Sequence, residues 1–178
     1  MTVKEISEHA NLSGSAQSLV QEDSTPDAYL DSLQQQKLYE DAIKFLCHKM
    51  AVDVAVKWAC AAIRDLQSPE ARQQKNEPLE ACEQWTKTPG DQTRWAARKA
   101  SDNAKTRGPA RLLANGVFLS GGSIAGPGAP DTNPPPHAAQ KMIAGSIQVA
   151  VISYTPEKAE ERYQRTLSMG RSMDSGKA

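Results

Sequence analysis

Hydroxyl residues followed directly by proline recur along this chain, at Thr25-Pro26, Ser68-Pro69, Thr88-Pro89 and Thr155-Pro156. Proline's fixed φ suits the first helical position, where a missing N–H has no partner to lose, and the Ser or Thr oxygen before it can cap a free amide. Each pair predicts a helix start, and Gly108-Pro109 and Pro136 predict two more. Between these marks the apolar residues repeat at helical spacing, as in Leu38, Ala42, Phe45, Leu46 and Met50. Helices are expected over 13–21, 26–36, 38–49, 53–66, 69–85 with a break at Pro78, 91–104, 109–119, 137–153 and 156–169. Two of them, DVAVKWACAAIRDL at 53–66 and the segment 137–153, are apolar nearly all round and belong at the centre. Small residues there, Ala61, Ala62, Ala144 and Gly145, would let the two approach closely.

The expected fold is all-α, a single compact helical domain of about seven to nine helices with two buried central helices, spanning residues 13–170. Residues 1–12 and 171–178 are expected to be flexible, with Gly170 ending the last helix. One domain fits 178 residues, enough to bury roughly two-thirds of the surface of the unfolded chain. Lys plus Arg equals Asp plus Glu at 21 each, so no net field would hold the molecule on nucleic acid or on an acidic membrane, and no nucleic-acid partner is expected. The start, MTVKEISEHANLSGS, carries charge where a secretory signal needs an apolar run. The longest apolar stretch, Met142 to Ile152, falls short of the roughly 18 residues that suggest a membrane span. Synthesis and folding in the cytosol are expected, and export would need machinery that reads no cleavable signal.

Three cysteines, Cys47, Cys60 and Cys82, are an odd number in helix-like segments and read as reduced thiols. Their spacings lack any CxxC or HxxxH unit, so neither a metal site nor another cofactor is predicted. Cys47 and His48 are adjacent, but neighbours on a helix do not face each other and cannot form a dyad. The glycine-rich stretch FLSGGSIAGPGAPDTNPPP at 118–136 closes a helix instead of opening one, and no Gly-Lys-Ser/Thr follows it. It therefore reads as a structured connector, long enough to serve as a partner-docking loop.

Partner-binding candidates are Ser120, Gly121, Gly122 and Ser123 in that stretch, His137 beyond it, and the basic residues Arg94, Arg98, Lys105, Arg107 and Arg111. Only Asp102 opposes the basic set, which can dock a phosphate or an acidic partner. The acidic residues of the first forty positions, Glu22, Asp23, Asp27 and Asp31 among them, offer an internal alternative by lying against it. A competing reading builds a hydrolase or transferase site from Cys60, His137 and the 120–123 turn, and a third is a cytoplasmic scaffold or immunity-type partner. Trp58, Trp85 and Trp95 read as anchors of the core or its rim.

The stretches AVKWACAAIRD at 55–65 and FLSGGSIAGPG at 118–128 resemble the two signatures of a bacterial family of small helical proteins of unknown biochemical function. In that family a tryptophan-containing helix and an aromatic-Ser-Gly-Gly-Ser turn with prolines recur. The likeness runs from about Ser13, through YLDSLQQQKLYEDAIKFL, to the final helix. Matching positions are Trp58, Ala59 and Cys60, then Phe118, Ser120, Gly121, Gly122 and Ser123; Lys57 and Leu119 stand where aromatic residues are expected. Trp58, Cys60 and Phe118 carry the structural signature. The resemblance implies a link with type VI secretion: a non-enzymatic substrate, effector or accessory protein, made in the bacterial cytoplasm and exported without a signal peptide. It implies contact with a tube or spike component or with a host protein, and modulation of host signalling.

Overall fold

The computed structural model of the chain describes residues 1–126, 128–153 and 156–176, the side chain of Pro156 excepted. Among them are eleven α-helices and one 3-10 turn, with no strand. The helices are α1 (Val3–Ala10), α2 (Gly14–Gln17), α3 (Pro26–Gln35), α4 (Tyr39–Lys49), α5 (Val52–Leu66), α6 (Pro69–Gln73), α7 (Glu77–Lys87), α8 (Asp91–Asn103), α9 (Pro109–Phe118), α10 (Ala138–Ile152) and α11 (Ala159–Asp174). The fold is all-α as expected, with more helices than the seven to nine anticipated. One extra helix lies at the N-terminus, and the interruption expected at Pro78 falls just before it, at 74–76, separating α6 from α7 and leaving Pro78 in the first turn of α7.

Two hydroxyl–proline pairs cap as predicted. Thr25 accepts from the Ala28 amide and Ser68 from the Ala71 amide, each at 3.2 Å, and Pro26 and Pro69 stand in the first turns of α3 and α6. Thr88-Pro89 does not cap. The N-cap of α8 is Gly90, and Thr88 instead ends α7 and takes the Thr93 hydroxyl on its carbonyl at 2.8 Å. Thr155 of the fourth pair lies outside the described residues, and Pro156 opens the 3-10 turn that leads into α11.

The N-terminal segment, expected to be flexible, is α1. Thr2 accepts from the Glu5 amide at 3.3 Å while the Glu5 carboxylate accepts from the Thr2 amide at 2.8 Å, a reciprocal cap that satisfies two otherwise free donors. Val3, Ile6 and Ala10 then turn inward with Leu12, and α1 packs on α4.

At the centre α10 packs against α9, α5 and α4, so the two oily helices do meet there. Ile143, Ile147 and Val151 of α10 and Val56, Trp58 and Ala62 of α5 are fully buried; each large side chain so covered contributes about 1.5–3 kcal/mol. Ala62 and Ala144 are buried as expected, but Ala61 is half-buried and Gly145 borders open space. The tight approach is elsewhere: a Cβ on Gly116 of α9 would stand 3.1 Å from Ile143 Cγ1.

Gly170 does not end the last helix, which continues to Asp174. It is where α11 crosses Trp58. A Cβ there would lie 2.6 Å from Trp58 Cε2, and the Trp58 indole N–H donates to the Thr166 carbonyl at 2.9 Å. The expected flexible tail is held by ion pairs, Arg171 with Asp31 and Asp174 with Lys49, and Lys49 also meets Asp27 at 3.1 Å. Residues Lys177 and Ala178 of that tail lie outside the described residues. Asp27 and Asp31 thus pair with α4 and α11, not with the basic stretch at 94–111. Among the described residues no helix is long and apolar enough to cross a membrane.

Two glycines on buried or half-buried helical positions should respond in opposite directions to one methyl group. Gly170→Ala is expected to destabilise the fold by about 1–3 kcal/mol through the clash with the indole. Gly145→Ala, with open space around it, is expected to be neutral or to stabilise by up to about 1 kcal/mol. Urea midpoints of the two variants check the pair.

Candidate functional site

The basic stretch and the glycine turn belong to one helical hairpin. Helix α8 carries 13 residues, about 20 Å of rise, and α9 returns alongside it. One end of the hairpin therefore holds the start of α8, the end of α9 and the glycine turn. The other holds the turn from α8 into α9.

At the first end sits Arg94, which is buried although the sequence placed it on a docking face. Its Nη1 donates to the Phe118 carbonyl at 2.8 Å, its Nη2 to the Ser123 carbonyl at 2.7 Å and its Nε to Asp91 Oδ1 at 3.0 Å. The guanidinium carbon stands 5.1 Å from the centroid of the Phe118 ring and 5.7 Å from that of Trp95. Arg94 is a clamp: it satisfies a carbonyl at the end of α9 and fixes the turn that follows. Gly122 makes the clamp possible, because its φ is +62° and a Cβ on it would lie 2.8 Å from Asp91 Oδ1 and 2.9 Å from Arg94 Nη2. Gly121 faces open space.

The two serines of the turn are also engaged. Ser120 Oγ donates to the Val117 carbonyl at 2.7 Å, and Ser123 Oγ accepts from the amides of Ala125 at 3.2 Å and Thr132 at 3.1 Å. The Ile124 amide donates to the Thr132 carbonyl at 2.8 Å, which closes the base of the loop. Beyond this base, residues 128–133 are exposed, as are Pro135 and Pro136. The glycine stretch is thus an ordered surface arm over its described residues; Pro127 lies outside them.

Beside the arm is an open shelf of about 640 Å³, lined by Trp95, Arg98, Phe118, Ile124 and Met142 among others. Trp95 meets Phe118 edge-on with centroids 4.8 Å apart, and Arg98 lies 5.4 Å above Phe118 while donating to Asp102 at 2.9 Å and to Asn115 at 3.3 Å. Phe118 is the hub of this end, touched by both arginines. At the far end of the hairpin Lys105 and Arg107 are exposed and Arg111 is half-buried.

His137 caps α10 in a left-handed conformation, φ 59°. Its ring stacks on His9 at 4.1 Å and stands 5.9 Å from His48, so all three histidines of the chain meet where α1, α4 and the start of α10 converge. His48 is 3% exposed. Its Nδ1–H donates to the Lys44 carbonyl at 2.8 Å, which leaves the lone pair on Nε2 buried without a partner among the described residues. Burial holds the His48 pKa below the ordinary value, with the charges of His137, Lys141 and His9 adding to the effect against the pull of the Lys44 carbonyl. Burial lowers His137 as well, reinforced by His9 and Lys141. Among the described residues no group of three His, Cys, Asp or Glu side chains is arranged to hold a metal ion.

Cys60 lies elsewhere, on α5, where burial, with Glu83 adding, pushes its thiol up to about 12. Cys82 on α7 is likewise raised by burial, with Cys60 and Glu83 contributing. Cys60 lies near Glu83 and Cys82, His137 stacks with His9 near His48, and the 120–123 turn is held by Arg94; among the described residues no hydrogen bond joins the three. Trp58, the other signature residue, is core. The sequence reading overlooked the histidine cluster and Gln67, whose buried Oε1 has no partner among the described residues.

A family model described as a family of unknown function, DUF6931, matches residues 29–174, from α3 through α11. No curated protein and no solved structure matches the chain.

Replacing Arg94 by Met should leave the Phe118 and Ser123 carbonyls unpaired, with an expected loss of about 2–3 kcal/mol in urea denaturation and faster amide exchange at Ile124. The histidine cluster has a defined sign in pH. His48 titrates below about 6.5 when folded, so below that value the unfolded chain binds more protons. Its contribution is full at neutral pH and is lost as pH falls through about 6.5 towards the folded pKa. A proton NMR titration should show the His48 ring midpoint below about 6.5, and a midpoint above it would contradict the burial.

Proposed function

The chain belongs to the family of unknown function DUF6931, and with that as premise we propose that it works by protein contact, as a non-enzymatic substrate, effector or accessory protein of type VI secretion. The observation that carries the contact half is the shelf of Trp95, Arg98, Phe118, Ile124 and Met142 beside an exposed arm held in one shape by buried Arg94. Tryptophan and arginine dominate binding energy at protein interfaces, and a surface already ordered loses little freedom when a partner covers it. The export half is supported by the likeness of the two signature stretches to proteins linked with type VI secretion, and of the chain's size to the small effector EvpP. On this reading the partner is a tube or spike component, met in the bacterial cytoplasm, and a host signalling protein is the later target.

Two measurements test the proposal. The purified chain should form a specific complex with the secretion tube protein, weakened at least about tenfold by Arg98→Glu, a change at the edge of a hot-spot cluster. Secretion that continues unchanged in a tube-deficient strain would remove the basis for the reading.

A further inference from the structure

The far end of the α8–α9 hairpin carries chemistry that the shelf does not use. Between the α6–α7 junction and the turn joining α8 to α9 lies an open cavity of about 730 Å³, within the range of small-molecule sites. Lys75, Lys105, Arg107 and Arg111 line it against one carboxylate, Glu77, which Lys75 holds at 2.8 Å. Lys105, Arg107 and Arg111 have no carboxylate in ion-pair reach among the described residues.

The N-terminus of α9 opens into the same cavity. Its N-cap is Gly108, with no side chain to cap the turn, Pro109 has no N–H, and no acidic residue stands in the first turn. The amides of Ala110 and Arg111 are left without an acceptor among the described residues. Free N–H groups at a helix start, with the partial positive charge of the helix dipole behind them, bind phosphate.

An independent observation comes from α5. Gln67 follows its last turn, lines this cavity and the neighbouring groove beside Pro69, is only 7% exposed, and its Oε1 has no hydrogen-bond partner among the described residues. A buried acceptor left unmatched calls for a donor, which a ligand hydroxyl supplies. Among the described residues no aromatic side chain lines the cavity, and its apolar walls are small residues such as Ala71 and Pro78.

We infer that the uncapped start of α9, the unpaired Lys105, Arg107 and Arg111, and the unpartnered amide of Gln67 form a binding site for a phosphorylated polyhydroxy small molecule. The phosphate sits on the Ala110 and Arg111 amides between the cations, and a hydroxyl of the ligand donates to Gln67. The site stands apart from the protein contact proposed above and does not depend on it.

Amide NMR of the full chain at constant ionic strength tests this with glucose 6-phosphate, inorganic phosphate, glucose and a polyglutamate peptide as probes. Glucose 6-phosphate should shift the Ala110 and Arg111 amides saturably and bind about tenfold tighter than inorganic phosphate. Lys105→Glu with Arg107→Glu, both exposed and unpaired, should weaken both phosphates at least about tenfold. Gln67→Met should erase the preference for the sugar phosphate while leaving inorganic phosphate bound. Should Gln67→Met fail to fold, the comparison of the two phosphates on the native chain and on the double variant still decides. Unshifted amides, equal binding by the double variant, or equal affinity for both phosphates, the mark of an adventitious ion only, would overturn the inference. So would tighter binding of polyglutamate, which would assign the cations to an acidic protein surface.

Discussion

Trp58 rests its indole on a residue with no side chain, and the packing of the last helix depends on that contact. At Gly170 the backbone of α11 comes close enough for the indole N–H to reach the Thr166 carbonyl. The ion pairs that flank the contact, Arg165 with Asp65 and Arg171 with Asp31, lie at the surface, where each is worth little alone. They orient a helix whose attachment comes from the buried ring. The same device recurs at Gly116, where α9 closes on Ile143 of α10. At Gly170 there is no room for a methyl group, and at Gly116 one would fit only if Ile143 gave way by a few tenths of an ångström, so each glycine is matched to the large side chain facing it.

The hairpin of α8 and α9 shows how burial assigns different work to residues of one chemical kind. Arg94 and Arg98 share a helical face. Arg94 is directed inward onto carbonyls and aromatic rings, while Arg98 rides over the outer side of Phe118. The result at that end is a closed, well-satisfied junction with an exposed arm. At the opposite end three cations surround a helix start that the chain itself leaves uncapped. A guanidinium with three acceptors is a structural part; a cation with none is available chemistry.

Periodicity made most of the helices legible, because a stripe repeated over ten or more residues outweighs local ambiguity. Helix α1 escaped notice because it is short and polar, although Thr2 and Glu5 spell out its reciprocal cap. Gly170 was ambiguous by nature, since a glycine late in a helix serves equally as a terminator or as a point of close approach. Thr88-Pro89 followed the same pattern as Thr25-Pro26, yet Gly90 displaces the cap by two residues. The role of Arg94 could not be read locally, because its acceptors stand 24 and 29 residues away along the chain. His9, His48 and His137 are farther apart still in sequence and come together only through the tertiary fold.

The Trp58 hydrogen bond spans 108 residues, which sets an order of events during synthesis. When α5 leaves the ribosome its largest side chain has no surface to cover it, and the donor on its indole has only water. Neither need is met until the final helix emerges, because no earlier segment supplies the Thr166 carbonyl or the gap at Gly170. A central helix whose partner lies 108 residues downstream makes this contact only after the intervening helices have been synthesised. In that interval an apolar face of α5 is open to chaperones, and a factor that captured the nascent protein would be competing with α11 for the same ring.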